Sequence, residues 1–590
     1  MKTDKSQASR FLMQASLGYD QDLLEEVSRI GATDWLGQQL NHEPSILRPF
    51  EPAVRELWGD FKKRLVAAHG AHNLNGEGNN PALPYKWYFR MAWWQHTLTR
   101  KDDLLRQRVA QALSEILVIS DASSLELNSI GMGSYYDLLY AHAFGNYVDL
   151  LTEVSMHPMM GIYLSHMLNQ KADPSRNIHP DENYAREIMQ LFTIGLFELN
   201  PDGTEKLDAS GKPIPTYDNR DIKALARVFT GLLPSAYEYE WETSFWDESL
   251  TGYPVGFEDG IDKAFKTVPF IRVTEPMVID EDYHDRGPKQ LLNGRISLPG
   301  GQDGAQEIRS AVAQLVAHPS TAPFVAKHLI NRLVTSNPSP AYVKHVASKF
   351  GPHGDLKAVV EAILTWPLKN DVSDVALPTA RQENGRLVQS QKLKSPLQRV
   401  TQILLAFGAH NDSGKPWLLG DDLDEALSMH PMSSPTVFNF YKADFAPHGD
   451  LQKLGLTAPE FELHTSATSV AYVNTMYYWF FGGQLPLVST RIGTGSEQRM
   501  VMEMNPEILW SRAEDVLKFD FSREKKMAAD PTQHDALIDQ MMVLLAGTTD
   551  EAAKARIKEA YAFYADNPEW VVQTIAFMIS ISPEFTVQEA

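Results

Sequence analysis

The chain of 590 residues contains no cysteine. That absence removes disulfides, thiolate nucleophiles and zinc or iron–sulfur sites built on Cys. It leaves the compartment open, because a cysteine-free chain suits an oxidising space and the cytosol alike. Positive charge is in deficit: 54 Lys and Arg stand against 75 Asp and Glu, a formal net charge of -21. Such a surface repels phosphate backbones, which argues against general nucleic-acid binding. Long apolar runs are missing as well. The most apolar aromatic stretch, Ser469–Phe481, contains Asn474 and Thr475 and is too short to span a bilayer. The opening MKTDKSQASRFLMQASLG has neither an apolar core nor a small-residue cleavage site. The protein therefore either stays inside the cell or has lost a targeting segment. No G-x-S-x-G elbow, P-loop or H-E-x-x-H is present, so serine-hydrolase, nucleotide-hydrolase and zincin chemistry has no motif behind it.

What is present is ordinary globular composition, 43% hydrophobic and 22% charged, enough for a sizeable core. Helical periodicity dominates. Leu105, Val109, Leu113 and Leu117 recur every four residues, which predicts a helix over Leu104–Ile119 with one buried face. The same reasoning predicts helices at Asp20–Ile30, stopped by Gly31, and at Tyr135–Ala143, Tyr147–Ser155, His157–Leu168, Asp181–Leu196 and Asp221–Thr230. Further predicted helices cover Ala305–Ala317, Ala322–Val334, Ala341–Phe350, Leu356–Trp366, Leu397–Phe407, Pro459–Phe481, His534–Leu545, Glu551–Ala565 and Trp570–Ser580. Two Gly turns within Asn200–Tyr217 predict a small hairpin. The expected fold is mainly all-α: a large multi-helix domain with long loops and a small β-hairpin insertion. Residues 1–233 form an N-terminal helical part, with the helix at 180–197 and the hairpin at 200–217. Residues 234–300 are an irregular aromatic-rich excursion. Residues 301–590 are a C-terminal helical part packed with the first as one unit. Leu368–Lys392 is polar and irregular, a candidate linker, and the basic run Arg386, Lys392, Lys394 and Arg399 reads as a solvated face.

The segment His179-Pro180-Asp181-Glu182-Asn183-Tyr184-Ala185-Arg186-Glu187-Ile188-Met189-Gln190-Leu191-Phe192 is the most informative. Pro180 suits a first helical turn, and Asp181 and Glu182 fall at its positive end. On an α-helix, Asn183, Arg186, Glu187 and Gln190 share one stripe while apolar residues cover the rest. The stripe either faces solvent or lines an internal network or cleft. A buried Arg186 would need Glu182 or Glu187 as partner.

The same segment, continued as TIGLFELNPDG, resembles the signature of the domain-of-unknown-function 1800 family of bacterial proteins. ASRFLMQASLG, LRQRVAQALSEILVIS, YDNRDIKALARVFTGL, YHDRGPKQLL, HPSTAPFVAKHLINRLVTSNPSPAYV, SSPTVFNFY and LTAPEFEL resemble further family blocks, in the family's order, from about residue 8 to about 465. The resemblance implies an all-helical, commonly exported protein. It also implies a genomic partner from the domain-of-unknown-function 1501 family, which is itself similar to sulfatases and phosphatases. One block departs from the pattern. Where many members carry Trp-His-Asn-His-Phe, this chain reads Leu113-Ser114-Glu115-Ile116-Leu117, so a metal site on that histidine pair is absent or altered.

Other candidates are weaker. Tyr283-His284-Asp285 offers an acid/base pair, or else a turn capped by Asp285. His157, His318 and His430 each precede Pro and shape helix starts, and His179 abuts the signature. Asp202-Gly203 and Asp208–Gly211 lack the alternating acids of a calcium loop and fit hairpin turns better. The 12 Trp and 21 Tyr include Tyr237, Tyr239, Trp241, Trp246 and Trp417 in expected loops, which suit a carbohydrate groove or a protein interface equally.

The resulting expectation is a periplasmic or extracellular enzyme acting on a polysaccharide or envelope polymer, a carbohydrate hydrolase or lyase, with a cytoplasmic location as the alternative. Glu182, Glu187, Asp181 and His284 are its expected catalytic groups. Asn183, Arg186, Gln190 and Asp285 are its expected substrate-binding groups. No cofactor or metal is specified. The competing expectation is a non-catalytic scaffold that pairs with the sulfatase-like partner and binds no nucleic acid.

Overall fold

The computed structural model describes residues 3–69, 86–126, 128–235, 272–377, 379–383, 386–388, 391–414, 427–482 and 517–589. Within these residues the chain is mainly α-helical, and its named strands form four two-stranded antiparallel ladders. Helix boundaries follow local chemistry. Asp20 caps Gln21–Ile30 by accepting from Leu23 N, and Gly31 ends that helix at a φ of 100°. Ser339 and Ser395 cap helices whose first residue is proline, Pro340–Ala347 and Pro396–Ala406. The pattern is the expected one, since an N-cap hydroxyl satisfies a free N–H and proline has none to lose.

One hydrophobic cluster runs from Ala8 to Phe585. The N-terminal helix Lys5–Ala15 lies against the C-terminal helix His534–Ala546, where Ser9 Oγ donates to Val543 O at 2.6 Å. Thr401 Oγ1 donates to Leu17 O at 2.6 Å, and Gln398 Nε2 to Met13 O at 3.0 Å. Early and late segments thus share polar ties as well as apolar surface.

Several expectations change. Leu104–Ser114 ends earlier than predicted, with Glu115 at its C-cap. Pro459–Phe481 divides into a 3-10 turn, Pro459–Leu463, and the helix Ser466–Phe481, separated where Thr465 and Thr468 form a capping box. Trp87–Thr99 is a helix that periodicity does not reveal, because its residues are buried nearly all round and leave no polar stripe. The expected linker Leu368–Lys392 contains the end of helix Leu356–Lys369 and short strands. Gln391–Leu393 pairs with the C-terminal strand Val587–Glu589.

The basic run is likewise no solvated face. Lys392, Lys394 and Arg399 are all buried, held by that strand pair and by the helix after it, while the side chain of Arg386 lies outside the described residues. Most of the aromatic excursion, with Tyr237, Tyr239, Trp241 and Trp246, and Trp417 also lie outside them. The described part of the excursion forms the short strands Val278–Ile279, Lys289–Leu291 and Ile296–Leu298. No described helix is long and apolar enough to cross a membrane.

The small hairpin is a pair of nested turns. Leu199 pairs with Glu205, Leu207 with Pro213 and Phe197 with Pro215. Gly203 and Gly211 take φ of 77° and 80° at the two tips. Asp202 Oδ1 accepts from Thr204, and Asp208 Oδ1 from Ser210 and Lys212. Their carboxylates are therefore occupied by the turns themselves.

Candidate functional site

The signature segment is α-helical over only Asn183–Glu187 and then widens into a π-helical turn, Ile188–Thr193. Thr193 Oγ1 donates to Ile188 O at 2.5 Å, and Ile194 N donates to Met189 O at 2.9 Å. Gly195 closes the turn at a φ of 69°, where a Cβ would lie 2.9 Å from the Phe324 ring. A π-turn inserts one residue into the helical ladder and rotates the residues after it, and such turns are frequent at functional sites. The single stripe expected from α-helical spacing is split as a result.

Along the signature, Asn183 is exposed, Arg186 is half-exposed, Glu187 is buried and Gln190 is half-buried. Asp181 orders the start of the helix, accepting from Asn183 N at 2.7 Å and from Ser165 Oγ at 3.0 Å. Arg186 lies 3.8 Å from Glu182 at the surface, a pairing of small energetic weight. Tyr184 fixes the apolar side: its hydroxyl is 2.6 Å from Ser155 Oγ and its ring stacks on His166 at 4.0 Å. Glu187 Oε2 has no hydrogen-bond partner among the described residues. Burial raises the pKa of Glu187, and Arg186 opposes that rise only in part. Gln190 Oε1 accepts from Tyr217 Oη at 3.0 Å.

His284 and Asp285 serve a different assembly. His284 is 1% exposed, its Nδ1 2.9 Å from Thr230 O and its Nε2 3.1 Å from Glu307 Oε2. The buried Lys289 ammonium reaches the same Glu307 carboxylate at 2.7 and 2.9 Å. Asp285 is gripped by Arg227 through two bonds of 2.6 and 2.9 Å. His157 accepts from Met159 N as a helix cap, and burial lowers its pKa to about 3. His318 accepts from Ser320 N, and His179 is exposed.

The signature's π-turn forms one wall of a cleft of about 690 Å³, within the range of small-ligand sites. Gln190, Leu191, Gly195 and Leu196 line this wall, and the hairpin continues it with Leu199 and Glu205. Helix Thr321–Leu333 supplies Phe324, Lys327, His328, Asn331 and Arg332, and Phe438, Lys442 and Asp444 also line the cleft. Of the eight residues singled out from the sequence, Gln190 lines the cleft and Asp181, Glu182, Asn183, Arg186, Glu187, His284 and Asp285 do not. Burial, with Arg332 and Lys327 nearby, lowers the pKa of His328 to about 3, so its ring is neutral at physiological pH.

Behind the cleft lies a buried charge network. Arg332 Nη1 is 3.3 Å from Glu115 Oε2, and Tyr441 Oη donates to the same oxygen at 3.1 Å. Gln111 Nε2 donates to Glu115 Oε1 at 3.2 Å. Arg108 donates to Arg332 O and Lys392 to Asn331 O, both at 2.6 Å, which satisfies carbonyls at the end of helix Thr321–Leu333. Lys392 also reaches Glu460 at 2.6 Å. Among the described residues no group of three His, Asp or Glu is arranged to hold a metal ion.

These residues come from the sequence blocks that resemble the family: Arg108 and Glu115 from one, Arg332 and His328 from another, Tyr441 and Glu460 from two more. The model of the family described as "Protein of unknown function (DUF1800)" matches residues 10–587. The chain belongs to the DUF1800 family. Neither the curated proteins nor the solved structures contain a match to it. In this DUF1800 protein the variant block Leu113–Leu117 places Glu115 and Ile116 at the inner end of the cleft. Periodicity misses Arg108 because helix Leu104–Ser114 is buried on every side, with Arg106, Gln107 and Gln111 buried beside it. The visible signal of Arg108, Glu115, Arg332 and Glu460 is a charge inside a block that resembles the family.

Proposed function

We propose that this DUF1800 protein acts in its cleft on a polysaccharide or related envelope polymer, as an exported carboxylate-dependent enzyme. The observation that carries this reading is the convergence of the signature's π-turn with Glu115 on one cleft of about 690 Å³. Its lining suits a sugar. The Gln190 amide can bond a hydroxyl, whereas that of Asn337 is held by Thr457, and Phe324 and the exposed Phe438 offer rings for stacking. Glu115 is the carboxylate at the inner wall and stands as the catalytic candidate. Glu187 is a positioning candidate, because it is buried one turn before Gln190, where burial raises its pKa. Asp181, Glu182, Asn183 and Arg186 order the start of the signature, and the His284–Asp285 assembly braces the adjoining segment.

The test is a panel of soluble glycans, assayed for new chain ends and for binding, with wild type and with Glu115→Gln and Glu187→Gln. Turnover by wild type that is lost in folded Glu115→Gln supports the reading. No binding and no turnover across the panel overturns it.

A second reading, a scaffold that pairs with a sulfatase-like partner of the domain-of-unknown-function 1501 family, is supported by one surface. Val470, Tyr477 and Tyr478 on helix Ser466–Phe481 are 62%, 53% and 65% exposed, beside Trp570 at 46%. Phe481 links them to Trp570, with ring centroids 6.1 Å apart. Co-elution of the two purified proteins, abolished by Tyr478→Asp, is the expected result for this reading, and independent elution of the wild-type pair refutes it.

A further inference from the structure

Among the described residues the network behind the cleft carries more cations than carboxylates. Arg108, Arg332, Lys392 and Arg399 are buried at 4%, 7%, 3% and 3% exposure, and the carboxylates among them are Glu115 and Glu460, at 7% and 1%. Arg399 lies over the Tyr472 ring at 5.1 Å and donates to Lys394 O, while its field reaches Glu460. Four cations therefore share two carboxylates among the described residues. The carbonyl end of helix Thr321–Leu333 offsets about half a charge more. Burial holds the Tyr441 hydroxyl well above its ordinary pKa, so it contributes no negative charge. A buried cation without a counter-charge is strongly unfavourable. Yet the excess sits in a chain whose formal net charge is -21, and Arg332 and Glu115 are the charged members of the network that line the cleft.

We propose that the cleft recognises an oxyanion on its ligand, a carboxylate, sulfate or phosphate group, which docks at Arg332 and completes the network. Arg332 carries a planar donor fork of the kind that suits such a group, and its two Nη atoms lie 3.3 and 3.5 Å from Glu115, contacts long enough for an outside anion to compete with. Lys327, on the same helix, and Lys442 line the cleft together with the Glu205 and Asp444 carboxylates, so the positive excess is that of the buried network behind it. Glu115 is the internal competitor for Arg332, so its charge sets how strongly the guanidinium binds an outside anion. The inference rests on the saccharide reading for the body of the ligand, which then becomes an acidic saccharide: a uronate, a sulfated sugar or a sugar phosphate.

The experiment has two arms on the full chain. In the first, inorganic phosphate, sulfate and malonate are compared with chloride at equal ionic strength by thermal shift and calorimetry. In the second, oligogalacturonate, a sulfated oligosaccharide, a sugar phosphate and a neutral oligosaccharide of matched length are titrated. The expected result is that at least one of phosphate, sulfate and malonate raises the melting temperature. The matching acidic saccharide should bind about tenfold more tightly than the neutral one, and the arm that responds identifies the group.

Glu115→Gln should tighten inorganic-anion binding, the reverse of what loss of a merely structural carboxylate would do. Lys327→Met, at an exposed position that leaves the core alone, should weaken it. Unchanged or weaker anion binding in folded Glu115→Gln overturns the proposal, and so does a wild type indifferent to phosphate, sulfate and malonate alike. Should Glu115→Gln fail to fold, equal anion affinity in wild type and Lys327→Met overturns it. Anion binding without any saccharide binding leaves the oxyanion site standing and removes the saccharide reading. Neutral-saccharide binding without anion binding does the opposite.

Discussion

Glu307→Gln is expected to destabilise the fold and to replace a loss of stability as pH rises above about 6.5 with a loss as pH falls below it. Glu307 is 2% exposed and serves two buried bases, Lys289 at 2.7 Å and His284 at 3.1 Å. The amide keeps the shape and removes the charge, leaving the Lys289 ammonium with the Asp285 carbonyl. Breaking one side of a buried pair costs about 3–5 kcal/mol, mostly from the stranded charge. The pH argument concerns His284. Burial disfavours its charged form, but Glu307, with the Thr230 carbonyl, overcomes this and raises its pKa. A raised folded pKa contributes stability that is full below the unfolded value of about 6.5 and is lost as pH rises through the folded value. In Glu307→Gln the raising charge is gone, and burial and Lys289 now depress the pKa. The contribution then reverses, and stability is lost as pH falls through about 6.5. Urea unfolding above and below about pH 6.5, with hydrogen exchange across residues 280–291, measures both effects. A loss below about 1 kcal/mol, or the same pH slope in both proteins, would refute the buried-triad account.

Gly195→Ala should cost about 1–3 kcal/mol through its positive φ, and it should displace Phe324 and weaken cleft binding, read by calorimetry with any ligand identified there. An unshifted melting temperature would argue against the π-turn geometry. Lys394 is fully buried, and burial, reinforced by Arg399, holds its pKa well below the ordinary lysine value. The unfolded chain takes up a proton there that the folded chain does not, so stability should rise with pH toward about 10 in the wild type, and Lys394→Met should remove that rise. Equal slopes in urea titrations of the two proteins would contradict it. Tyr217→Phe should lose about 1 kcal/mol with its bond to Gln190 and lower ligand affinity through a freed amide. Wild-type affinity in that variant would separate Gln190 from the site.

Much of the fold is legible because helix ends announce themselves. Asp20 and Gly31 bracket Gln21–Ile30 in the sequence as they do in space, and the two hairpin tips coincide with Gly203 and Gly211. What periodicity misses has a physical cause in each case. Trp87–Thr99 is wrapped by neighbours on every side and shows no stripe. Lys392 and Lys394 read as surface charge because a lysine carries no mark of its partner. Here the partners are Glu460, 68 residues on, and Gln402 with Leu545 O. The signature is visible in the sequence as a segment but not as a shape. The expected stripe assumes 3.6 residues per turn throughout. The turn that changes this period is stabilised by Thr193 and terminated by Gly195 against Phe324, a residue of another helix.

The site follows the same logic at longer range. Glu115 lies 217 residues from Arg332 and 326 from Tyr441, so no local pattern could join them. The signature contributes Gln190 rather than a charge to the cleft they back. In the resemblance drawn from the sequence, Ser114 and Ile116 stand where many members of the family carry His, with Glu115 between them. The Glu115 carboxylate is tied to Arg332. Substituting Ser114 and Ile116 with His would test this directly. If the cleft's inner wall is set by the Glu115–Arg332 pair, the double variant gains no metal-dependent stabilisation. A melting temperature that rises with zinc would mean that a metal competes for the cleft with the proposed anion.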